Sequence, residues 1–229
     1  MSTRFTPTDS GLFATLPPAT VNTLMGIGAE RRFRPGDVLV REGETTTHVL
    51  VLLAGCVKVT ANTADGGRAL LAVRLAGDLI GELAGLDGKP RSATVTAVSE
   101  VFARVMTQAV FRTFLRQHPE AGVEVGRLVA AKLRWATDRR IDFSGYDVPI
   151  RVARALVALV DSYSTRTVQG WEIGFPLSQP ELAALIGAAE PTVHKSLTEL
   201  RRKGVLETGY RRMTILDLPR LRVAAGLTD

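Results

Sequence analysis

The sequence predicts an α+β fold in three parts: an antiparallel roll or barrel of short strands, one long helix, and a pair of short helices followed by a two-stranded wing. Three patterns carry that prediction. From Arg32 to Met106, β-branched runs are cut by glycine turns at Gly36-Asp37, Gly55, Gly66-Gly67 and Gly77-Asp78, the punctuation of antiparallel strands. After His118-Pro119 the apolar period lengthens to that of a helix. Beyond Ser178, a capping signal, a glycine stop, a second helical stretch and a Gly209-Tyr210 turn follow one another.

Taken in order, residues 1 to about 30 are a polar start and one amphipathic helix whose Val21, Leu24, Met25 and Ile27 would lid the next domain. The strands read F-R-P-G-D-V-L-V-R-E-G-E, H-V-L-V-L-L-A-G-C-V-K-V-T, a hairpin signal A-D-G-G-R before A-L-L-A-V-R-L, and finally A-T-V-T-A-V-S-E-V-F-A-R-V. Val110, Phe111, Phe114 and Leu115 then make a helical face. Pro119 opens the long helix, which runs to about Ile141. Along it Gly122, Gly126, Val129, Leu133, Ala136 and Arg140 recur at steps of four and three, a coiled-coil seam that predicts a homodimer. Val125, Leu128 and Trp135 are left to face the strands. The segment D-F-S-G-Y-D-V-P is a hinge, with Asp147 as N-cap and Pro149 in the first turn of a helix from Ile150 to Tyr163. Its core face is Val152, Leu156, Leu159 and Val160, and Thr167 to Pro176, with Trp171 and Ile173, reads as a short hairpin.

The stretch from Gly77 to Val95, G-D-L-I-G-E-L-A-G-L-D-G-K-P-R-S-A-T-V, has the chemistry of a phosphate cassette. Gly81 lets backbone approach a ligand, and Glu82-Leu83-Ala84-Gly85 opens a helical turn with free N–H groups. Arg91 adds a guanidinium fork and Ser92 a hydroxyl donor. Glu82 would repel a phosphate, so its natural partner is a ribose hydroxyl, which points to a sugar-phosphate ligand.

At the other end, Ser178-Gln179-Pro180-Glu181 fits a capping box that opens a helix ending at Gly187. After Ala188-Ala189 a second helix, E-P-T-V-H-K-S-L-T-E-L-R-R-K, stops at Gly204. This is a helix-turn-helix, whose second helix enters the DNA major groove. Val193, Leu197 and Leu200 form its buried stripe. Ser178, Glu190, Thr192, His194, Lys195, Arg201 and Arg202 are the candidate DNA contacts, joined by Arg211 and Arg212 of the wing. From Glu190 to Arg222 there are eight Lys/Arg against four acids, an excess placed where phosphates would lie.

At these two motifs the chain resembles the CRP/FNR family of bacterial transcription regulators, specifically its cyclic-nucleotide-binding members, and the resemblance covers nearly the whole chain. It implies a cyclic-nucleotide-binding β-roll in 1–118, a dimerisation helix and hinge in 119–146, and a winged helix-turn-helix DNA-binding domain in 147–229. It also implies cAMP or cGMP as effector, cradled by Gly81, Glu82, Leu83, Arg91, Ser92 and Ala93, with Glu82 on the ribose and Arg91 and Ser92 on the phosphate. Counting back from Asp147, Ala136-Thr137 fall where family hydroxyls reach the purine, and Thr137 supplies the only one. The implied partners are a palindromic double-stranded operator, a second copy of the chain and RNA polymerase. The recognition helix departs from the family pattern, holding Ala189, Glu190, Pro191 and Lys195 where many members have Ser-Arg-Glu and a second Arg. The alternative is a regulator whose pocket is empty or takes another effector, such as a cyclic dinucleotide.

Composition bounds the rest. With 229 residues, 45% of them hydrophobic, the chain can build two small cores. A net charge of +6 favours a polyanionic partner. Cys56 is the only cysteine, which excludes a disulfide framework and the four-thiolate iron–sulfur clusters of some family members. His48, His118 and His194 are scattered without metal-ligand spacing, so no metal site is expected. No nucleophile–base pair marks an enzyme, and no catalytic domain remains to be regulated. Neither a signal-peptide core nor a membrane-length apolar run is present, which places the chain in the cytoplasm.

Overall fold

The computed structural model describes residues 11–63, 66–209 and 212–227. Its contacts divide into two units, one up to Leu133 and one from Arg134. In the first, α1 (Leu12–Thr15) and α2 (Pro18–Gly26) precede β1 (Ala29–Phe33), β2 (Val38–Val40), β3 (Val49–Ala54), β4 (Cys56–Asn62), β5 (Arg68–Leu75) and β6 (Leu79–Ile80). There follow α3 (Glu82–Asp87), β7 (Thr94–Ala97), β8 (Val101–Met106), α4 (Gln108–Gln117) and the opening of α5 (Pro119–Gly145).

The strands form two antiparallel sheets, ordered β1-β8-β3-β6 and β2-β7-β4-β5. The unbroken apolar run of β3 has a direct cause, since both of its faces are covered. Val49, Val51 and Leu53 pack with Leu24, Phe111, Phe114 and Val125 of the surrounding helices. Leu50 and Leu52, on the other face, meet Leu39, Val57, Val95 and Val101 across the roll. The expected N-terminal helix is α2, which starts at the prolines; the four-residue α1 precedes it, and Leu16 between them is extended (ψ 147°) because the residue before a proline is held out of helical backbone. Ile27 is likewise extended and lies beyond the helix end.

Thr107 caps α4 by accepting the Val110 N–H at 3.3 Å, and Val110 itself stays exposed while Phe111 and Phe114 are buried. The first turn of α5 is tied down by the Thr20 hydroxyl, which donates to the Glu120 carboxylate at 2.6 Å. Ala121 and Val125 bury one side of α5, with Leu128 packed against them, whereas Gly126 and Leu133 are exposed.

The second unit holds the rest of α5, then α6 (Val148–Tyr163), β9 (Ser164–Arg166), β10 (Trp171–Ile173), α7 (Gln179–Ile186), α8 (Glu190–Arg202), β11 (Leu206–Gly209), β12 (Arg212–Ile215) and α9 (Leu218–Ala224). Its sheet is ordered β11-β12-β10-β9, so the wing and the preceding hairpin are one antiparallel layer. Val152, Leu156, Leu182, Val193, Leu197, Ile215 and Leu221 are its buried core. Helix α5 passes Ile141 to end at Gly145, extended by Asp142, which is buried between Arg139 and Arg154. Asp147 occupies the N-cap of α6 without a side-chain cap bond. Helix α9 lies outside the expected elements, although its signal is local: Asp217 caps the Arg220 N–H at 2.9 Å, with Pro219 in the first turn.

One half-buried acid yields a pH test. Asp78 accepts the Leu75 N–H at 3.0 Å, and burial holds its carboxyl above the ordinary range against the opposing pull of Arg74. The native state therefore binds this proton more tightly than the unfolded chain, and its contribution to stability falls as pH rises through the native pKa. Asp78→Asn keeps an acceptor and removes the charge. It should be more stable than wild type at pH 7, with the difference vanishing below about pH 4, as read by urea unfolding across that range.

Candidate functional site

The cassette is assembled around a buried cation. Arg91 is 4% exposed. Its Nε donates to Thr46 Oγ1 at 3.1 Å, Nη1 to the Gly81 carbonyl at 3.0 Å and Nη2 to the His48 carbonyl at 2.6 Å. The backbone of Arg91 is clamped as well, since its N–H donates to Glu44 O at 2.8 Å and its carbonyl accepts from Gly43 at 2.9 Å. Burial pulls its pKa down, opposed by Glu44 and Glu82. Burial and then the Arg91 charge also push the His48 imidazole below its ordinary value, which favours neutral His48 beside the guanidinium.

Gly81 is the N-cap of α3 in left-handed backbone (φ 76°), and a Cβ there would lie 2.2 Å from Arg91 Nη1. Glycine is thus required twice, by the turn and by the guanidinium. The adjacent Glu82 is buried and accepts from Lys132 Nζ on α5 at 3.0 Å, while the same ammonium donates to Leu79 O at 2.9 Å. The sequence points to a ribose hydroxyl as the partner of this carboxylate; within the chain its partner is a lysine. Ala93 is buried, Leu83 and Ser92 are exposed. Thr137 is an exposed residue of α5 within the second unit, whereas the cassette belongs to the first. Nothing in the spacing of the sequence marks Thr46, His48 or Lys132, since each reaches the cassette only by tertiary pairing.

In the second unit, Ser178 and Glu181 form the full capping box: the Ser178 hydroxyl accepts the Glu181 N–H at 3.4 Å, and the Glu181 carboxylate accepts the Ser178 N–H at 2.9 Å. Ser178 also donates its hydroxyl to that carboxylate at 2.8 Å, so this side chain is engaged in the cap. Gly187 ends α7 in left-handed backbone, and the turn delivers α8 with Val193, Ser196, Leu197 and Leu200 inward. Glu190, Thr192 and Lys195 are exposed near its N-terminal end, with no side-chain hydrogen bond or ion pair among the described residues. The other candidates hold partners. His194 pairs with Gln179 at 2.9 Å, Arg201 with Thr198 and Thr208, and Arg212 with Glu172. Arg202 grips Glu199 through two bonds and Lys203 lies 3.4 Å from the same carboxylate, whose pKa these cations hold down to about 2. Arg211 lies outside the described residues.

Among the described residues no helix is long and apolar enough to cross a membrane, and no cluster of three or more His, Cys, Asp or Glu could hold a metal.

Comparison with known proteins places both motifs. Residues 30–118 match the cyclic nucleotide-binding domain and residues 150–224 the Crp-like helix-turn-helix domain. The chain is 29% identical over 212 residues to the CRP-like cAMP-activated global transcriptional regulator of Mycobacterium tuberculosis, covering 93% of this chain and 95% of the relative. It is 31% identical over 197 residues to the transcriptional regulator LdrP of Thermus thermophilus, covering 86% of this chain and 96% of that protein. Among solved structures, a CRP-family transcriptional regulator from Thermus thermophilus superposes with a TM-score of 0.70 at 29% identity, covering 86% of this chain and 96% of that one.

The glycine requirement is testable with a matched control. Gly36 also has positive φ (93°), but a methyl group there would project into open space, whereas one at Gly81 meets Arg91 and lies 3.0 Å from the His48 carbonyl. Gly36→Ala should cost only backbone strain, about 1–2 kcal/mol. Gly81→Ala should cost more, roughly 2–4 kcal/mol, because it also displaces a hydrogen-bonded buried cation; denaturant unfolding of both variants compares them.

Proposed function

The chain belongs to the CRP/FNR family of DNA-binding transcription regulators, which are not enzymes and carry a cyclic-nucleotide-binding domain, and from that premise we propose a cAMP-responsive homodimer that reads a palindromic operator through α8. The single observation behind the effector is the buried Arg91 guanidinium beside the left-handed Gly81 and the carboxylate of Glu82. Arg91 and Ser92 take the cyclic phosphate, Glu82 a ribose hydroxyl, Gly81 and Ala93 give close backbone approach, and Leu83 covers the sugar. The name of the mycobacterial relative favours cAMP over cGMP. The exposed Gly126, Leu133 and Ala136 and the half-buried Gly122 and Val129 supply the dimer seam on α5. Such a regulator works in the cytoplasm with RNA polymerase as its protein partner.

A second reading keeps the DNA function and changes the effector. It is favoured by the fact that the Nε, Nη1 and Nη2 of Arg91 and an oxygen of Glu82 already have protein partners. A guanidinium has five N–H donors, so two remain for a phosphate. Calorimetric titration with cAMP, cGMP and a cyclic dinucleotide separates the readings. For the first, cAMP binds most tightly, and Arg91→Leu weakens it at least roughly tenfold through loss of charge-assisted bonds. Equal affinity of wild type and Arg91→Leu would remove the phosphate assignment.

The arrangement of α8 yields the operator test. Lys195 is placed to donate to guanine O6 and N7, and Glu190 to accept from a cytosine amino group. Selection from a random DNA pool should return an inverted repeat from a two-fold dimer. Lys195→Ala should relax one guanine position in each half-site, and Glu190→Arg should change another. Recovery of a lone half-site would count against the dimer, and identical sites from all three proteins would count against base reading by these residues.

A further inference from the structure

The second unit contains a cavity of about 200 Å³ that neither site uses. Arg139, Arg140 and Phe143 of α5 line it together with Arg151 of α6 and the end of α7 at Ile186-Gly187. Its one acid is Asp142, and that carboxylate is already engaged: Oδ2 lies 2.6 Å from Arg139 Nη2, and Oδ1 accepts from Arg154. Arg151 Nη1 donates to the Ile186 carbonyl at 3.1 Å, and its guanidinium stacks 5.1 Å from the centroid of the Phe143 ring. What remains is unbalanced. Arg139 Nε and Nη1 and Arg151 Nε are sealed from solvent without an acceptor, against a single buried acceptor, Asp142 Oδ2, which has no hydrogen-bond donor despite its ion pair with Arg139.

A charged donor withdrawn from water without an acceptor is among the costliest arrangements a fold can hold. A water molecule would accept a hydrogen bond but leave the excess positive charge. A metal cation would add to it. We propose that this cavity binds a phosphate-sized oxyanion, held by the guanidinium groups of Arg139 and Arg151 with Arg140 at its margin. Arginine forks match the oxygens of phosphate, and the volume lies below the roughly 300–1,000 Å³ of sites that enclose larger organic ligands. Bound there, the anion joins the last turns of α5 to α6 and to the end of α7, from which Gly187 leads into the reading helix. The inference does not depend on the nucleotide assignment, because all of these residues belong to the second unit.

The test uses the full chain and inorganic phosphate as the probe. Thermal unfolding in sodium phosphate should show a saturable rise in midpoint over sodium chloride of equal ionic strength, with matching broadening of the phosphorus-31 resonance. Arg151→Gln should weaken phosphate binding at least about tenfold. Arg140→Gln, at an exposed position whose loss leaves the core intact, should weaken it about threefold, so the proposal stays testable if Arg151→Gln does not fold. Arg91→Leu should leave it unchanged. A midpoint that follows ionic strength alone overturns the proposal, as does phosphate affinity equal to wild type in Arg140→Gln. Loss of the effect in Arg91→Leu overturns it too, because the anion would then belong to the cassette.

Discussion

A guanidinium taken out of water must find acceptors, and in the first unit Arg91 is that guanidinium. Its partners come from two separate stretches of chain: the Thr46 hydroxyl and the His48 carbonyl just before β3, and the Gly81 carbonyl at the cap of α3. Holding them together requires the β3–β6 pairing, the left-handed turn at Gly81 and the backbone clamp between Arg91 and Gly43-Glu44. The positive charge is in place before any ligand arrives. These bonds set the orientation of the guanidinium within a low-dielectric wall.

The same logic orders the second unit. Basic residues near the reading helix divide into those with protein partners, such as Arg202 on Glu199 and Arg212 on Glu172, and those presented to solvent, chiefly Lys195. Exposed ion pairs of this type contribute little to stability and exchange readily for phosphate contacts. They fix the approximate position of each cation. Pro191 starts α8 without loss of a backbone donor, and the side chains of Glu190, Thr192 and Lys195 at that end are exposed.

Asp142 organises the opposite side of that unit. One buried carboxylate draws in Arg139 and Arg154, and Arg154 continues to the Ala225 carbonyl and stacks over Tyr146. Asp142 thus ties the last turns of α5 to α6, with more buried donors than acceptors beside the cavity.

By itself the sequence determined what depends on neighbours along the chain. Strand and helix periods, the Ser178-Glu181 box, the glycine stop at Gly187 and the buried stripe Val193-Leu197-Leu200 are set by backbone sterics and residue spacing, and each stands in the structure where the pattern put it. That both faces of β3 are covered was decided by tertiary packing, with helices on one side and the opposite sheet on the other. A local signal was also enough to start α9 at Asp217, although the apolar pattern alone concealed it. Tertiary structure decided the pairings. Lys132 reaches Glu82 across fifty positions, Glu172 takes Arg212 across forty, and Arg91 is held by carbonyls that no side-chain pattern can advertise. Which charges become buried, and which donors are left without acceptors, follows from how distant strands and helices meet, and periodicity carries no record of that.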